Sequence, residues 1–266
     1  MTPKSGADMA QPAVTLSTGA TMPLLGLGTW QLRGRSGYAA VRHALDVGYR
    51  LIDTATMYRN EAEIGRALRD SGVARPEVFI TTKLWPSDAG RERRAIAASL
   101  SALGTDYVDL WLVHWPPRRA ASVSVWKEFV AVQRDGLARA IGVSNFTAAQ
   151  IDELTQTSGV TPAVDQIEWS PQLYDSAVVE ELRTRGVVLE GYSPFKTSRL
   201  NDPVLVEIAS RYGVTPAQIV LRWHVDHGFV VIPKSGRPER ITANWEVFGF
   251  SLDAEELARI DALGRR

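Results

Sequence analysis

Short apolar runs alternate with helical stretches along almost the whole chain, and this alternation limits the possible folds more than any other feature. Strands that alternate with helices pair in parallel through right-handed crossovers. Eight such units in about 250 residues match the size of a (β/α)8 barrel, an α/β TIM barrel, which we therefore predict. The eight runs are LLGLG (from residue 24), RLIDT (50), VFITTK (78), YVDLWLVHW (107), ARAIGVS (138), AVDQIE (163), VVLEGYS (187) and FVVIPKS (229).

The stretches between the runs carry helix signals. Gly48 and Gly228 follow two of them, as glycines do at helix C-termini, and Pro216 stands at the start of the helix that Gly228 follows. Asn60 and Glu63 are spaced like the N-cap and third residue of a capping box. These signals place predicted helices after the strands.

The N-terminal segment AVTLSTGATMP has two short runs around a Thr-Gly pair. It predicts a β-hairpin that covers one end of the barrel. No Pro- or Gly-rich linker divides the chain, so we expect residues 1–266 to form a single domain, with residues 1–12 flexible.

A doubly wound nucleotide-binding sheet is the competing fold. The stretch GLGTWQ at residue 26 resembles the start of a G-x-G-x-x-G motif, but Gln31 occupies the position of the third glycine. No acidic residue follows at the end of a second strand in the way that motif requires. The sequence therefore favours the barrel.

Composition excludes several classes of function. Lys plus Arg equals Asp plus Glu, at 30 each, so no net charge attracts nucleic acid or anionic membrane. The absence of Cys excludes disulfides, thiolate metal sites and cysteine nucleophiles. The N-terminus lacks the apolar core of a signal peptide, and no apolar run approaches the length of a membrane span. We expect a soluble cytoplasmic monomer that binds neither nucleic acid nor membrane.

Polar side chains follow seven of the eight apolar runs. Any one of them could be a paired structural group, which is the usual fate of a buried charge. In a barrel, however, the C-terminal ends of all strands face the active site. The repetition therefore predicts a functional site built from Asp53, Lys83, His114, Ser144, Asn145, Gln166, Tyr192, Lys234 and Ser235.

The stretch DTATMYRNE, which follows the second run, adds a phenol to this site. Tyr58 can fold over the ends of the neighbouring strands, where Asp53 supplies a counter-charge for Lys83. A Lys ammonium beside a phenol favours its ionised form, so we expect Lys83 to lower the pKa of Tyr58. Such a phenol can donate a proton near neutral pH. We assign Glu61 to the start of the next helix.

Six stretches resemble signature sequences of the aldo-keto reductases, most closely the bacterial 2,5-diketo-D-gluconate reductase-like members, and they extend over nearly the whole chain. The resemblance implies a barrel without a Rossmann domain that reduces aldehydes and ketones with NADPH. It also implies a catalytic tetrad of Asp53, Tyr58, Lys83 and His114, with Tyr58 as the acid and His114 orienting the substrate carbonyl. The six are GYRLIDTATMYRNEAEIG (48–65), TTKLW (81–85), DYVDLWLVHWP (106–116), IGVSNF (141–146), DQIEWSP (165–171) and IPKSGRPERI (232–241).

The segment PKSGRPER follows the last run and begins a helix, with Pro238 in its first turn. Free N–H groups at a helix N-terminus bind anions. Lys234, Ser235 and Arg240 add two cations and a hydroxyl, which suit the 2′-phosphate of NADPH/NADP+.

Further cofactor contacts are implied by the resemblance alone. Tyr192 would stack under the nicotinamide ring. Asn244 would contact the adenine, although Ala243 precedes it where the family often has Glu. The remaining contacts are Ser144, Asn145 and Gln166 on the carboxamide, with Ser193 and Thr29 as lesser ones.

The resemblance also places three tryptophans, Trp30, Trp85 and Trp115, around a pocket for a small-molecule carbonyl substrate. We assign Trp111, inside the fourth run, to the core. The given sequence ends at Arg266, directly after a predicted helix, where relatives usually continue into a tail over the pocket. An open pocket with a broad substrate range is the resulting expectation.

Two other functions are weighed. A relative that binds NADPH as a sensor or subunit with little turnover is the alternative, but the full tetrad favours an enzyme. A metal-dependent barrel hydrolase would need paired His on the first strand, where LLGLGTW has none. His224 and His227 have helical spacing without a third ligand, so we expect no metal there and place both on a helix surface.

Overall fold

The computed structural model describes residues 11–117 and 119–265. The expectation of a flexible N-terminus falls mostly on residues 1–10, which lie outside these ranges. The described chain starts with a β-hairpin of β1 (Ala13–Thr15) and β2 (Thr21–Pro23), which pair antiparallel. Gly19 lies in its turn with φ at 83°, a conformation that glycine adopts without strain. The predicted hairpin is confirmed.

Eight parallel strands form the barrel, in the same order along the chain as around the sheet. The last strand returns to the first, where Gly26 donates its N–H to the Val231 carbonyl at 2.9 Å. A Cβ atom on Gly28 would lie 2.7 Å from the Ile232 carbonyl oxygen, so this closure requires glycine. The predicted barrel is confirmed. Its strands are β3 (Leu27–Gly28), β4 (Leu51–Asp53), β5 (Phe79–Leu84), β6 (Val108–Val113), β7 (Ala138–Ser144), β8 (Val164–Glu168), β9 (Val188–Tyr192) and β10 (Val230–Val231).

Helices surround the barrel, one after each strand except β9, which is followed by two before β10, and the chain adds a further helix near its end. Within the described ranges, none of these helices is long and apolar enough to cross a membrane. They are α1 (Gly34–Val47), α2 (Glu61–Ser71), α3 (Glu92–Leu103), α4 (Arg119–Arg134), α5 (Ala148–Ser158), α6 (Ser176–Thr184), α7 (Pro203–Tyr212), α8 (Pro216–Asp226), α9 (Pro238–Trp245) and α10 (Ala254–Asp261).

Most of the helix signals are confirmed. Gly48 follows α1 and donates its N–H to the Ala44 carbonyl at 3.1 Å. Thr215 and Gln218 form a capping box at the start of α8. The capping box predicted for α2 is wrong: Asn60 is the N-cap residue, but its side chain caps no helical N–H. That side chain is buried and donates to carbonyls of the loop after β3 instead.

The barrel interior changes from apolar to polar along its axis. Alternate residues of each strand face inward. Leu16 and Met22 of the hairpin pack against the apolar interior side chains, so the hairpin closes that end. Trp111 faces outward and stacks on Phe129 of α4 with ring centres 3.7 Å apart, as expected for a core residue. The apolar interior side chains include Leu51, Phe79, Leu110, Leu112, Ala140, Val164, Val230 and Ile232.

Candidate active site

A buried ion pair lies at the C-terminal end of the barrel. Lys83 Nζ donates to Asp53 Oδ1 at 2.6 Å, to Asp53 Oδ2 at 2.7 Å and to the Thr54 carbonyl at 2.9 Å. Both charged side chains are buried. Burial disfavours the ammonium of Lys83, but the adjacent Asp53 carboxylate outweighs that effect and raises the pKa of Lys83. Lys83 therefore carries its charge, as the sequence predicts.

Tyr58 is held above this pair by a single 3₁₀ turn, Thr56–Tyr58. Thr56 Oγ1 donates to the Lys83 carbonyl at 3.0 Å, and Arg33 Nε donates to the Tyr58 carbonyl at 3.2 Å. Arg59 ends the turn with φ at 55°, which reverses the chain into α2. Lys83 Nζ lies 5.2 Å from the centre of the Tyr58 ring. The turn thus brings the phenol to the ammonium, at the spacing that DTATMYRNE suggests.

The prediction that the pKa of Tyr58 is lowered is wrong, because its net shift is upward. Burial raises the pKa of Tyr58, and this effect exceeds the lowering by the charge of Lys83. The charge of Asp53 opposes Lys83 as well. Sequence reasoning counted the cation but not the desolvation of the phenol. In this structure Tyr58 therefore keeps its proton at neutral pH.

His114 packs between two aromatic rings, directly after β6. The ring of Tyr58 lies 5.7 Å from it and that of Trp85 lies 5.2 Å from it, both edge to face. Its Nδ1 is buried and has no hydrogen-bond partner within the described part of the chain. Burial, with a smaller contribution from the charge of Lys83, lowers the pKa of His114 to about 3. His114 is therefore a neutral imidazole that can form hydrogen bonds without changing charge.

Asn60 fixes the loops on both sides of Tyr58. Its Nδ2 donates to the carbonyls of Thr29 at 2.9 Å and Leu32 at 2.7 Å, while its Oδ1 accepts from Thr54 Oγ1 at 2.8 Å. The loop after β3 and the loop after β4 are thereby joined. Glu61 is also not simply a helix-start residue, because its Oε1 accepts from Thr82 Oγ1 on β5 at 2.6 Å.

The residues assigned to the nicotinamide form one hydrogen-bonded chain. Tyr192 Oη donates to Asn145 Oδ1 at 3.0 Å, and Asn145 Nδ2 donates to Ser144 Oγ at 2.9 Å. Ser144 Oγ in turn donates to the Gln166 carbonyl at 2.7 Å. Gln166 Nε2 donates to Asp53 Oδ2 at 2.9 Å, which links this chain to the ion pair. The side-chain oxygen of Gln166 remains as its acceptor for a ligand amide.

Backbone geometry supports the same assignment. Asn145 and Ser193 both have positive φ, 62° and 53°, which is uncommon for residues other than glycine and recurs at ligand sites. Thr29, the lesser contact, is fully buried and donates its hydroxyl to the Asp53 carbonyl at 2.9 Å. In this structure Thr29 supports the position of Asp53.

The segment after β10 carries uncompensated positive charge. Lys234 and Arg240 are exposed, and neither forms an ion pair in the described ranges. Ser235 is buried and its Oγ accepts from the Arg237 N–H at 3.1 Å, which shapes the turn before α9. Arg237 differs, since its guanidinium pairs with Glu239. The donor set of two free cations at a helix N-terminus fits a phosphate group.

Other predicted site residues lie nearby on the same elements. Asn244 is buried on α9, four residues after Arg240. Trp30 and Trp115 are 48% and 43% exposed, respectively, which is unusual for so large an apolar side chain. Trp85 is half-buried against His114. Exposed aromatic rings after β3 and β6 provide apolar surface beside the tetrad.

His224 of α8 and His227, which directly follows α8, do not share a helix surface, contrary to expectation. His224 is fully buried, and its Nδ1 bonds to the Val220 carbonyl at 2.7 Å. His227 is half-buried, and its Nε2 bonds to Asp261 at 2.9 Å. His224 faces the barrel, where its Nε2 lies 3.1 Å from the position that a Cβ on Gly191 of β9 would occupy, whereas His227 contacts the last helix. Across residues 11–117 and 119–265, no cluster of three or more metal-ligating side chains occurs.

Sequence reasoning missed two buried carboxyl groups. Asp165 precedes Gln166, and burial raises its pKa to about 7, although the backbone N–H groups of Phe146 and Asn145 lower it. Glu190 lies in the middle of β9 and is fully buried. Both residues could have been found as acidic residues inside apolar runs: Asp165 lies in AVDQIE and Glu190 in VVLEGYS.

Comparison with known proteins gives consistent matches over nearly the full length. Residues 24–265 match the model of the aldo/keto reductase family. The chain is 45% identical over 260 residues to methylglyoxal reductase DkgA of Salmonella typhimurium, which covers 96% of this chain and 94% of that one.

Solved structures agree. An aldo/keto reductase from Brucella melitensis superposes with a TM-score of 0.92 at 42% identity, covering 96% of this chain and all of that one. An aldo-keto reductase from Bombyx mori in complex with NADP gives a TM-score of 0.90 at 34% identity, covering 96% and 93%.

Proposed function

Because this chain belongs to the aldo/keto reductase family, we propose that it reduces aldehydes and ketones to alcohols with NADPH, with Tyr58 as the proton donor. The observation that carries the proposal is the placement of Tyr58 against the buried Asp53–Lys83 pair and the neutral ring of His114. A phenol, an ammonium and an imidazole at the C-terminal end of a barrel can bind and protonate a carbonyl oxygen.

Each member of the tetrad has a distinct role in the proposal. Tyr58 is protonated at neutral pH and donates its proton to the oxygen that becomes the alcohol. Lys83 stabilises the phenolate that remains, and Asp53 keeps Lys83 charged. His114 is neutral, so it orients the carbonyl by hydrogen bonding without competing for the proton. When bound, NADPH supplies the hydride.

The residues around the tetrad fit NADPH. Tyr192 offers a flat ring held in place by Asn145, and Gln166 and Asn145 offer amide groups to a carboxamide. The unpaired cations Lys234 and Arg240 at the start of α9 fit a 2′-phosphate, which favours NADPH over NADH. Asn244 lies on the same helix and would contact the adenine.

Small reactive carbonyls are the substrates to test first. Trp30, Trp85 and Trp115 supply an apolar rim beside the tetrad. The relative from Salmonella typhimurium bears the name methylglyoxal reductase, so methylglyoxal is a reasonable initial substrate. Larger aldehydes and 2-keto esters would then define the range.

The decisive experiment replaces Tyr58 by Phe, which keeps the ring and removes only the proton. Turnover should fall by about 10²–10⁴ while NADPH binding, followed by nicotinamide fluorescence, is retained. Tyr38→Phe is the matched control, because it removes a phenol hydroxyl of α1 that donates to Asp70 on the neighbouring helix α2. Near-normal reduction by Tyr58→Phe would transfer the acid role to another group.

The alternative function is an NADPH-binding sensor or subunit with little turnover. The complete tetrad favours the enzyme, since a sensor needs no buried cation beneath its tyrosine. The wild-type protein separates the two: tight NADPH binding without reduction of any aldehyde in the panel would support the sensor.

A further inference from the structure

Glu190 lies in the middle of β9 with its side chain toward the barrel interior. Its Cα is in register with Gln166 on β8 and with Val230 on β10. The inward-facing Gln166 reaches Asp53 on the opposite side of the barrel. Glu190 itself is 0% exposed. A carboxyl group so placed must be paired, hydrogen-bonded or protonated.

Hydrogen bonding does not satisfy this carboxyl group. Neither oxygen of Glu190 has a partner among residues 11–117 and 119–265. The Gln166 amide lies toward Glu190 as a possible donor and thereby lowers its pKa, but its close hydrogen bond, at 2.9 Å, goes to Asp53, and neither oxygen of Glu190 is reached at hydrogen-bond geometry within these ranges. A carboxylate buried without a donor carries a large desolvation cost, which a protonated carboxyl group avoids. The surroundings therefore favour the protonated form.

The charges around Glu190 lead to the same conclusion. The groups that act on it are Asp53 on β4 and Lys83 on β5, and it acts in turn on Tyr58 in the turn after β4. One ammonium thus serves two carboxyl groups, so the cluster is neutral only when one of them holds a proton. Burial and the charge of Asp53 raise the pKa of Glu190 to about 8, against smaller effects of Gln166 and Lys83.

Resting on the proposed role of Tyr58, we propose that Glu190 is a positioning residue of the reaction centre: it holds a proton while Asp53 and Lys83 are charged, and its ionisation disfavours the phenolate of Tyr58. Besides the Asp53 carboxylate, the buried cluster then holds either the Glu190 carboxylate or the Tyr58 phenolate, but not both at once. An ionised Glu190 keeps the proton on Tyr58, which suits reduction, and opposes alcohol oxidation, which requires the phenolate.

The kinetic test uses Glu190→Gln, which keeps the size of the side chain and abolishes its ionisation. The ratio of its kcat/KM for alcohol oxidation to that of the wild type should be near one at pH values well below 8. Well above 8, where wild-type Glu190 is ionised, the ratio should rise by roughly threefold or more, equivalent to a coupling of about half a pKa unit. A ratio that does not change with pH would overturn the proposal.

Two variants control this measurement. Glu190→Asp keeps a carboxyl group and should follow the wild-type pH dependence; the same gain as in Glu190→Gln would contradict a role for the charge. Glu256→Gln removes another buried carboxylate, one that bonds to Arg211 and Tyr212 far from the tetrad. Its ratio to wild type should be constant with pH, whatever it costs in stability.

A second measurement needs no change at Glu190, so it stands even if Glu190→Gln does not fold. Infrared spectroscopy detects the carbonyl stretch of a protonated carboxylic acid. Burial also raises the pKa of Asp165, to about 7, and that of Glu61, so Asp165→Asn and Glu61→Gln remove both groups from the signal. Burial raises the pKa of Asp53 as well, but Lys83 donates to both of its oxygens and favours the carboxylate. The band that remains should disappear as the pH rises through about 8. Its absence in neutral solution would overturn the proposal.

Failure of the proposed function would look different. If Tyr58 is not the proton donor, Tyr58→Phe retains turnover while the infrared band of Glu190 is still present. If Tyr58→Phe is inactive and Glu190→Gln shows no pH-dependent gain, the role of Tyr58 stands and that of Glu190 is wrong.

Discussion

Lys83 donates to both carboxylate oxygens of Asp53, at 2.6 and 2.7 Å, in a part of the barrel from which solvent is excluded. Removal of either side chain alone would leave the other as a buried, unpaired charge, which strongly destabilises a folded protein. The pair is therefore a structural unit as well as the source of the charge beneath Tyr58.

Replacement of Lys83 by Met should destabilise the protein and cut turnover. The Asp53 carboxylate would lose its cation and three donated hydrogen bonds would be lost, so the free energy of unfolding should fall by about 3–5 kcal/mol. The double variant Asp53→Asn, Lys83→Met removes both charges and should be more stable than Lys83→Met alone. Urea unfolding of the wild type, Lys83→Met and the double variant measures these differences in the free energy of unfolding.

The exposed pair of Arg183 and Glu180 on α6 is the matched control. Arg183→Met should leave the unfolding midpoint and turnover unchanged, because solvent screens such pairs. A double variant no more stable than Lys83→Met would mean that Asp53 is not left as an unpaired charge.

Replacement of Arg240 by Ala should weaken NADPH binding selectively. A charged hydrogen bond to the 2′-phosphate is lost, so NADPH affinity should fall roughly ten- to hundredfold. NADH, which lacks this phosphate, should bind as before. Fluorescence titration with both cofactors checks this, with Arg183→Ala as a control for the loss of a remote positive charge. Equal losses for both cofactors would show that Arg240 does not contact the 2′-phosphate.

His114 should contribute no ionisation to the pH profile of reduction. Its pKa is lowered to about 3, so the imidazole stays neutral between about pH 5 and pH 8, where a histidine normally titrates. His114→Gln should lower kcat/KM but leave the shape of the profile unchanged over this range. A limb near the ordinary histidine pKa that disappears in His114→Gln would contradict a permanently neutral ring.

The sequence predicts the barrel because its evidence is repeated: eight apolar runs that alternate with helical stretches leave few alternatives. The positions of Asp53, Lys83 and Tyr58 were predictable for a related reason, since strand order alone brings the ends of neighbouring strands together. Family resemblance added the proposed cofactor contacts, and the family itself is confirmed by comparison with known proteins.

Other features depend on desolvation and on packing between distant segments, which strand and helix patterns do not contain. The net upward shift of the Tyr58 pKa follows from how deeply the 3₁₀ turn buries the ring. His224 is buried because its ring faces Gly191 of β9, on the barrel side of the helix. The sequence predicts that the Asn60 side chain caps a helix, but its carboxamide donates to the carbonyl of Leu32, 28 residues earlier.

Asp165 should make the protein less stable as pH rises from acid to neutral, and Asp165→Asn should remove this effect. In the unfolded chain its pKa is near 3.8, and in the folded protein burial raises it to about 7. Below the first value both states are protonated and the group has no effect. Between the two values only the unfolded state ionises, so the free energy of unfolding falls as pH rises and levels off above about 7.

The relevant measurement is the difference between Asp165→Asn and wild type in urea unfolding, taken from acid to slightly alkaline pH. A difference is needed because His114 and His224, whose pKa values are lowered to about 3 and about 4, change stability in the opposite direction as pH rises. Asp165→Asn keeps the side-chain oxygen that accepts the Phe146 N–H. We expect its advantage over the wild type to grow with pH and to reach roughly 2–4 kcal/mol above neutrality. A difference independent of pH would mean that Asp165 is ionised in the folded protein, with its charge satisfied by the backbone of the loop that it holds.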